Sequence, residues 1–275
     1  MNIESTFGTA TPVIGMVHLG PLPGAPKAAA DGAAAMQSVL EGAVADARAL
    51  ERGGVDGVLV ENFGDAPFHP DDVPKHTVAA TTRAATAVAD ATTLPIGINV
   101  LRNDAEAAVS VAAAVDAAFV RVNVHTGARV TDQGIVEGRA HETLRLRERL
   151  GVDVGIFADT DVKHSAPLTP EGYSAESFAD ATERGLADAV VASGSGTGAA
   201  IDRAALEAVV DERERHGLET PVFVGSGVRP ETIGDLLALA DGVIVGTALK
   251  AAGETTAPVD EERVATLVSR ADDCR

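Results

Sequence analysis

The sequence predicts a single closed α/β barrel, a (β/α)8 TIM barrel whose core runs from about residue 12 to about residue 270. Three observations predict it. Short apolar runs alternate with stretches of helical periodicity through eight units, which favours a parallel sheet and closure over an open doubly wound sheet. Helix-to-strand connections are short, while strand-to-helix connections are long and polar, so one end of the barrel is trimmed and the other elaborated. No linker or low-complexity stretch divides the 275 residues, a length that suits one large domain with a substantial core.

Taken in order, Pro12 to Leu19 forms the first strand after a short lead, and a loop rich in proline, glycine and alanine spans Gly20 to Gly32. A helix over about Ala34 to Arg52 leads to the second strand, Gly57 to Phe63. A polar loop to His76 and a helix to about Asp90 follow. Pro95 to Leu101 is the third strand, with Asn103 or Asp104 capping the next helix. The fourth strand covers Phe119 to His125, and its helix about Glu137 to Leu150. Val154 to Val162 is the fifth strand, followed by a helix over about Ala175 to Arg184. Ala189 to Ser193 is the sixth, followed by a helix from Asp202 to about Arg215. Val222 to Val224 is the seventh strand. Pro230 opens its helix, in which Ile233, Leu236, Leu237 and Leu239 recur at helical spacing. Val243 to Val245 is the eighth, and a helix over about Asp260 to Arg270 closes the chain.

Composition narrows the partners. With 41 acidic against 22 basic residues the formal net charge is -19, which repels nucleic acid and anionic membranes. Only Lys27, Lys75, Lys163 and Lys250 are lysines; this scarcity, with the acidity and abundant alanine, resembles proteins of a very salty cytoplasm. The lone cysteine, Cys274, forms no internal disulfide, no run of about 18 apolar residues spans a bilayer, and no signal pattern opens the chain. A soluble cytoplasmic protein without membrane insertion is expected. Its oligomeric state is open, a homo-oligomer included.

The chemistry centres on two glycine turns. The seventh strand stops at Gly225-Ser226-Gly227 and the eighth at Gly246-Thr247. Such turns bring several backbone N–H groups to one end of a sheet, and the following helix start is expected to add partial positive charge. In barrels of this class phosphate commonly sits there. The alternative is that these glycines only shape tight turns. Strand alternation puts Arg121 and Asn123 inside the barrel near its mouth, where a guanidinium needs a carboxylate or an anionic ligand. Glu61, closing the second strand, and Asp159 on the fifth are the carboxylates at hand; they make either an internal ion-pair network or part of a catalytic set. Asn62, Asn99 and Asp132 join Arg121 and Asn123 as candidate substrate-binding residues.

Lys163-His164 ends the fifth strand, and a lysine there is a candidate point charge, base or Schiff-base nucleophile. Its alternative is an ion pair with Asp161. Lys250 opens the connection after the eighth strand. His18, ending the first strand, is an acid–base group, a metal ligand or a hydrogen-bonded core residue. Glu61, Asp65, Asp159 and Asp161 form a candidate Mg²⁺ set, with no cofactor certain. Ser193, Gly194 and Thr197 belong to a Ser-Gly-rich stretch after the sixth strand that suits an anion-binding turn or a lid, without a Walker lysine.

Several motifs resemble one family. GMVHLGPLPGAP (Gly15 to Pro26), ENFGDAPF (Glu61 to Phe68), GINVLRNDA (Gly97 to Ala105) and VRVNVHTGARVTDQGIVEGRA (Val120 to Ala140) are similar to the BtpA/SgcQ family, as are DVKHS, SGSGTG and DGVIVGT further on. The resemblance spans nearly the whole chain and implies a barrel of the phosphate-binding group. One branch of that family is named for photosystem I biogenesis; another carries a nucleoside triphosphatase label and an association with sugar-phosphate metabolism. It transfers no catalytic set. The expectation is an enzyme acting on a small phosphorylated metabolite, a sugar or nucleoside phosphate, by lyase, isomerase or glycosidic-bond chemistry. A non-catalytic assembly or regulatory factor and a phosphohydrolase are the alternatives.

Overall fold

The computed structural model describes residues 1–160, 162, 164–168, 177–194 and 201–275. The chain opens with α1 (Ile3–Phe7) and β1 (Val13–His18), followed by α2 (Gly32–Arg52), β2 (Gly57–Glu61), α3 (Lys75–Ala89), β3 (Ile96–Asn99), α4 (Ala105–Ala114) and β4 (Phe119–Val122). Then come β5 (Ala128–Thr131), β6 (Gly134–Glu137), α5 (Ala140–Leu150), β7 (Gly155–Asp159) and β8 (Ser165–Pro167). The last third holds α6 (Ser177–Ala179, continued as a π-helical turn over Asp180–Arg184), β9 (Ala189–Ala192), α7 (Arg203–His216), β10 (Val222–Val224), α8 (Ile233–Leu237), β11 (Gly242–Val245) and α9 (Glu261–Asp272). Eight parallel strands close in the order β1-β11-β10-β9-β7-β4-β3-β2. The TIM barrel expected from the sequence is the fold.

Local chemistry sets the helix starts. The carboxylates of Asp31, Asp104, Asp202 and Asp260 accept from first-turn amides of α2, α4, α7 and α9, satisfying donors that have no intrahelical partner. Of the two expected caps before α4, Asp104 does the capping. Asn103 instead brackets Val124, donating from Nδ2 to its carbonyl at 2.9 Å and accepting from its N–H at 2.7 Å. That explains why the fourth strand stops at Val122 rather than His125: beyond Val122 the backbone is held by a side chain, not by a neighbouring strand. The second and fifth strands also end earlier than expected, at Glu61 and Asp159.

Two layers fill the barrel. At its lower end Phe119, Phe157 and Phe223 form a ring stack with centroids 4.6 and 4.9 Å apart, and α1 plugs the opening with Ile3 and Phe7. Gly97 and Gly242 make room for it, since a Cβ at either would meet a phenylalanine ring within 2.5 Å. Above the rings the inward positions turn polar, as strand alternation predicts for Arg121 and Asn123. The valines of the opposite faces, Val120 and Val122 among them, pack under the helices.

Two features escaped the sequence reading. One is a small antiparallel sheet, β6-β5-β8, whose hairpin turns through Asp132-Gln133 in the stretch expected to be loop; α5 accordingly begins at Ala140, not Glu137. The other is Lys250, which is not a surface residue. It is 1% exposed, and its Nζ donates to Asp46 Oδ2 on α2 at 2.6 Å, while Asp46 Oδ1 accepts from Val259 N at 2.8 Å. Burial pushes the ammonium's pKa down, and attraction to Asp46 offsets this only in part. The pair ties both ends of the segment after β11 to the barrel wall. Lys250→Ala, which strands a buried carboxylate, should cost about 3 kcal/mol in urea denaturation, whereas the joint Lys250→Met, Asp46→Leu variant should cost far less.

Candidate functional site

A cavity of about 1210 Å³ opens at the C-terminal ends of the barrel strands. On one side it meets the turns after β10 and β11. The N–H groups of Gly227, Val228, Gly246, Thr247 and Ala248 have no hydrogen-bond partner among the described residues, and all five residues line the cavity. Gly227 holds φ +68°, the left-handed region that glycine tolerates. Gly225 sits where no side chain fits, since a Cβ there would lie 2.6 Å from Ser193 Oγ and 2.5 Å from Val191 Cγ1. Its own N–H goes to the Ala192 carbonyl, and Ser226 Oγ accepts from Gly194 N at 2.9 Å. The donors thus come from the turns themselves. The expected helix contribution is not there, because α8 starts only at Ile233 and is one short turn.

Beside this row lies a histidine–carboxylate pair. His18 Nδ1 is 3.2 Å from the Thr255 carbonyl, and because a carbonyl only accepts, Nδ1 carries a proton. Nε2 is left facing Glu61 Oε1 at 3.8 Å, and Glu61 Oε2 accepts from Asn99 Nδ2 at 2.9 Å. Phe63 stacks on the imidazole at 4.7 Å, and Gly246 lies close enough that a Cβ would be 3.0 Å from Cε1. Ring, carboxylate and unpaired amides therefore share one stretch of wall.

The barrel centre holds the ion pair. Arg121 Nε and Nη2 donate to the two oxygens of Asp159 at 2.8 and 3.0 Å, and Nη2 also reaches Ser193 Oγ at 3.4 Å. Burial by itself would lower the guanidinium's pKa; attraction to Asp159, the hydrogen bonds to it and a pull from Glu61 outweigh this and raise it. Asn123 Nδ2 donates to Asp159 Oδ2 at 2.9 Å, which orients the amide and leaves Oδ1 buried without a partner among the described residues. Arg121 and Asn123 both border the cavity.

Other expected residues fall elsewhere or outside view. Asn62 accepts from Leu101 N at 2.7 Å and donates to Asp65 Oδ2 at 3.1 Å, so its amide braces two loops instead of facing the cavity. Asp132 stands on the far rim beside Arg102, and His164 lines the mouth with φ +56°. Lys163, Asp161 and Thr197 lie outside the described residues. Of the candidate Mg²⁺ set, the three described carboxylates have separate partners. Asp65 accepts from Leu22 N at 2.8 Å, with burial pushing its pKa up, Asp159 holds Arg121, and Glu61 holds Asn99. Among the described residues no group of three or more His, Cys, Asp or Glu side chains is placed to hold a metal ion. The sequence reading missed Thr255, whose only signal is its place in the polar stretch after β11, and the Arg102–Phe68 contact at 5.6 Å.

The sequence model of the BtpA family matches residues 9–273. The chain belongs to the BtpA family. Photosystem I biogenesis protein BtpA of Synechocystis is 44% identical over 98% of this chain and 90% of its own length. An uncharacterized protein of Thermococcus kodakarensis is 46% identical over 96% of each chain. Among solved structures, thiamine phosphate pyrophosphorylase from Pyrococcus furiosus superposes with a TM-score of 0.58 at 14% identity over 96% of each chain. Tryptophan synthase of Mycobacterium tuberculosis does so at 0.59 and 20%, over 96% of this chain and 92% of that one. These place the BtpA fold among TIM barrels. No helix is long and apolar enough to cross a membrane among the described residues.

The tight wall at Gly225 gives a direct check. Gly225→Ala should lower stability by about 1–3 kcal/mol through overpacking against Ser193 and Val191. Gly42→Ala, on the exposed face of α2 with nothing within 4 Å, should raise it by roughly 1 kcal/mol. Thermal denaturation of the two variants reads both.

Proposed function

We propose that this protein is an enzyme acting on a small phosphorylated metabolite, with the phosphate on the amides of Gly227, Val228, Gly246, Thr247 and Ala248 and a proton moved by His18 and Glu61. One observation carries the reading: five N–H groups from two neighbouring strand ends, unpaired among the described residues, border one cavity, alongside an imidazole set close to Gly246. Backbone amides left without partners are costly unless water or a ligand satisfies them, and a dianionic phosphate accepts several at once. Lys27 and Arg229 at the rim have no carboxylate partner among the described residues, so they draw an anion toward the mouth of a chain with net charge -19. Barrels of like fold whose names carry thiamine phosphate or phosphoribosyl anthranilate add an analogy of fold.

The acid–base step follows from the tautomer. With Nδ1–H bonded to Thr255, Nε2 is the nitrogen that gives or takes a proton, and Glu61, held by Asn99, stabilises the imidazolium that results. The reacting atom therefore sits close to the phosphoester, as in isomerisation, aldol-type cleavage or glycosidic-bond cleavage. Arg121 and Asn123 orient the rest of the ligand from the centre. The second reading is a biogenesis or regulatory factor that binds the same ligand without turning it over, and the name of the Synechocystis relative favours it.

Thermal-shift measurement with inorganic phosphate and a panel of sugar phosphates should reveal a stabilising ester; saturation near 100 times Kd adds about 2.7 kcal/mol. NMR of that ester in D2O with the protein should then show product or solvent deuterium. His18→Gln should retain the stabilisation while slowing the reaction by roughly 10²–10⁴-fold. Stabilisation with neither product nor exchange would point to the sensor reading, and a panel without any stabilising phosphate compound would end the proposal.

A further inference from the structure

We infer that the ligand is a phosphate ester that also carries a flat heterocyclic ring, of the nucleoside 5′-monophosphate class, with the ring at the rim formed by Phe68, Leu101 and Arg102. This rests on the phosphate reading above and adds the other end of the molecule. The cavity, about 1210 Å³, is larger than the roughly 300–1,000 Å³ that takes a whole drug-sized ligand, so a lone sugar phosphate leaves most of it unfilled. Closure of the barrel puts β3 directly across from β10, so Arg102, just past β3, faces the amides after β10 from the opposite wall of the same cavity.

The two walls differ in charge. The phosphate wall presents main-chain donors, with the Lys27 and Arg229 cations at its rim and the Glu61 carboxylate turned to His18 and Asn99. At the far rim the buried Arg102 guanidinium has Asp132 Oδ1 at 3.5 Å from Nη2, and its Nε donates to Gln133 Oε1 at 3.1 Å. Its charge is matched, which disfavours a second phosphate and suits a neutral group. What the rim offers is flat surface and an edge: the Phe68 ring with the guanidinium 5.6 Å from its centroid, Leu101 beside it, and Arg102 donors adjacent to Asp132 and Gln133 acceptors. Aromatic stacking plus a donor–acceptor edge is how a protein holds a heterocycle. Between the walls, the buried Oδ1 of Asn123 lacks a donor among the described residues. That oxygen is fully enclosed, so a hydroxyl in the cavity does not reach it as the amide stands, and the ring site rests on the two walls.

Calorimetric titration with inorganic phosphate, ribose 5-phosphate, the nucleoside 5′-monophosphates and fructose 1,6-bisphosphate tests this. At least one nucleotide should bind about tenfold or more tightly than ribose 5-phosphate. Phe68→Ala should bring that nucleotide down toward ribose 5-phosphate, and Phe68→Tyr, which keeps the ring, should retain the advantage; a fold lost in the alanine variant would leave the tyrosine variant and the ligand series to decide. Equal affinity for ribose 5-phosphate and every nucleotide, or preference for the bisphosphate, would overturn the ring site while leaving the phosphate wall standing. If neither inorganic phosphate nor any ester binds, it is the phosphate reading itself that fails.

Discussion

A buried, two-pronged ion pair organises the upper half of this barrel. Arg121 and Asp159 project from neighbouring strands β4 and β7 into the space above the phenylalanine rings, each 8% exposed or less. Neither charge is tolerable there alone, since removing an ion from water costs several kcal/mol unless geometry and hydrogen bonds compensate. Their side-on pairing meets that cost and leaves the remaining valences to fix the neighbours. Asp159 orients the Asn123 amide, and Arg121 reaches Ser193 beside the close-set Gly225. The pair is thus the floor on which the cavity stands, with the glycine turns on one side and the His18–Glu61 pair on another.

Much of the fold was legible because it depends on period and punctuation. Eight apolar runs with glycine or polar stops required little tertiary context, and strand alternation put Arg121 and Asn123 inside correctly. What escaped depends on contacts distant in sequence. Lys250 looked like a loop residue because its partner, Asp46, lies 204 positions away on α2. The early end of β4 follows from Asn103 bracketing Val124, a side-chain decision that no backbone propensity records. The β5–β6 hairpin did leave a trace, a pair of short alternating segments on either side of Asp132-Gln133 with Gly134 at φ +103°.

For the site, residue types were legible and partnerships were not. His18 and Glu61 could be chosen separately, yet only the structure shows them facing each other with Thr255 fixing the proton on the far nitrogen. Asn62 carried the same signal as Asn99, an amide at a strand end, but one braces loops and the other holds a carboxylate. Of the four carboxylates proposed for a metal, the three described ones, Glu61, Asp65 and Asp159, each hold a different partner. Chemistry at this mouth is written in pairs.

The stopper at the opposite end has a kinetic meaning. With three phenylalanine rings and α1 sealing the lower opening, the described residues leave no back door at that end, and a ligand comes and goes by the strand-end mouth. Any ligand of this barrel therefore passes, in both directions, the same loops at the strand ends that would bind it.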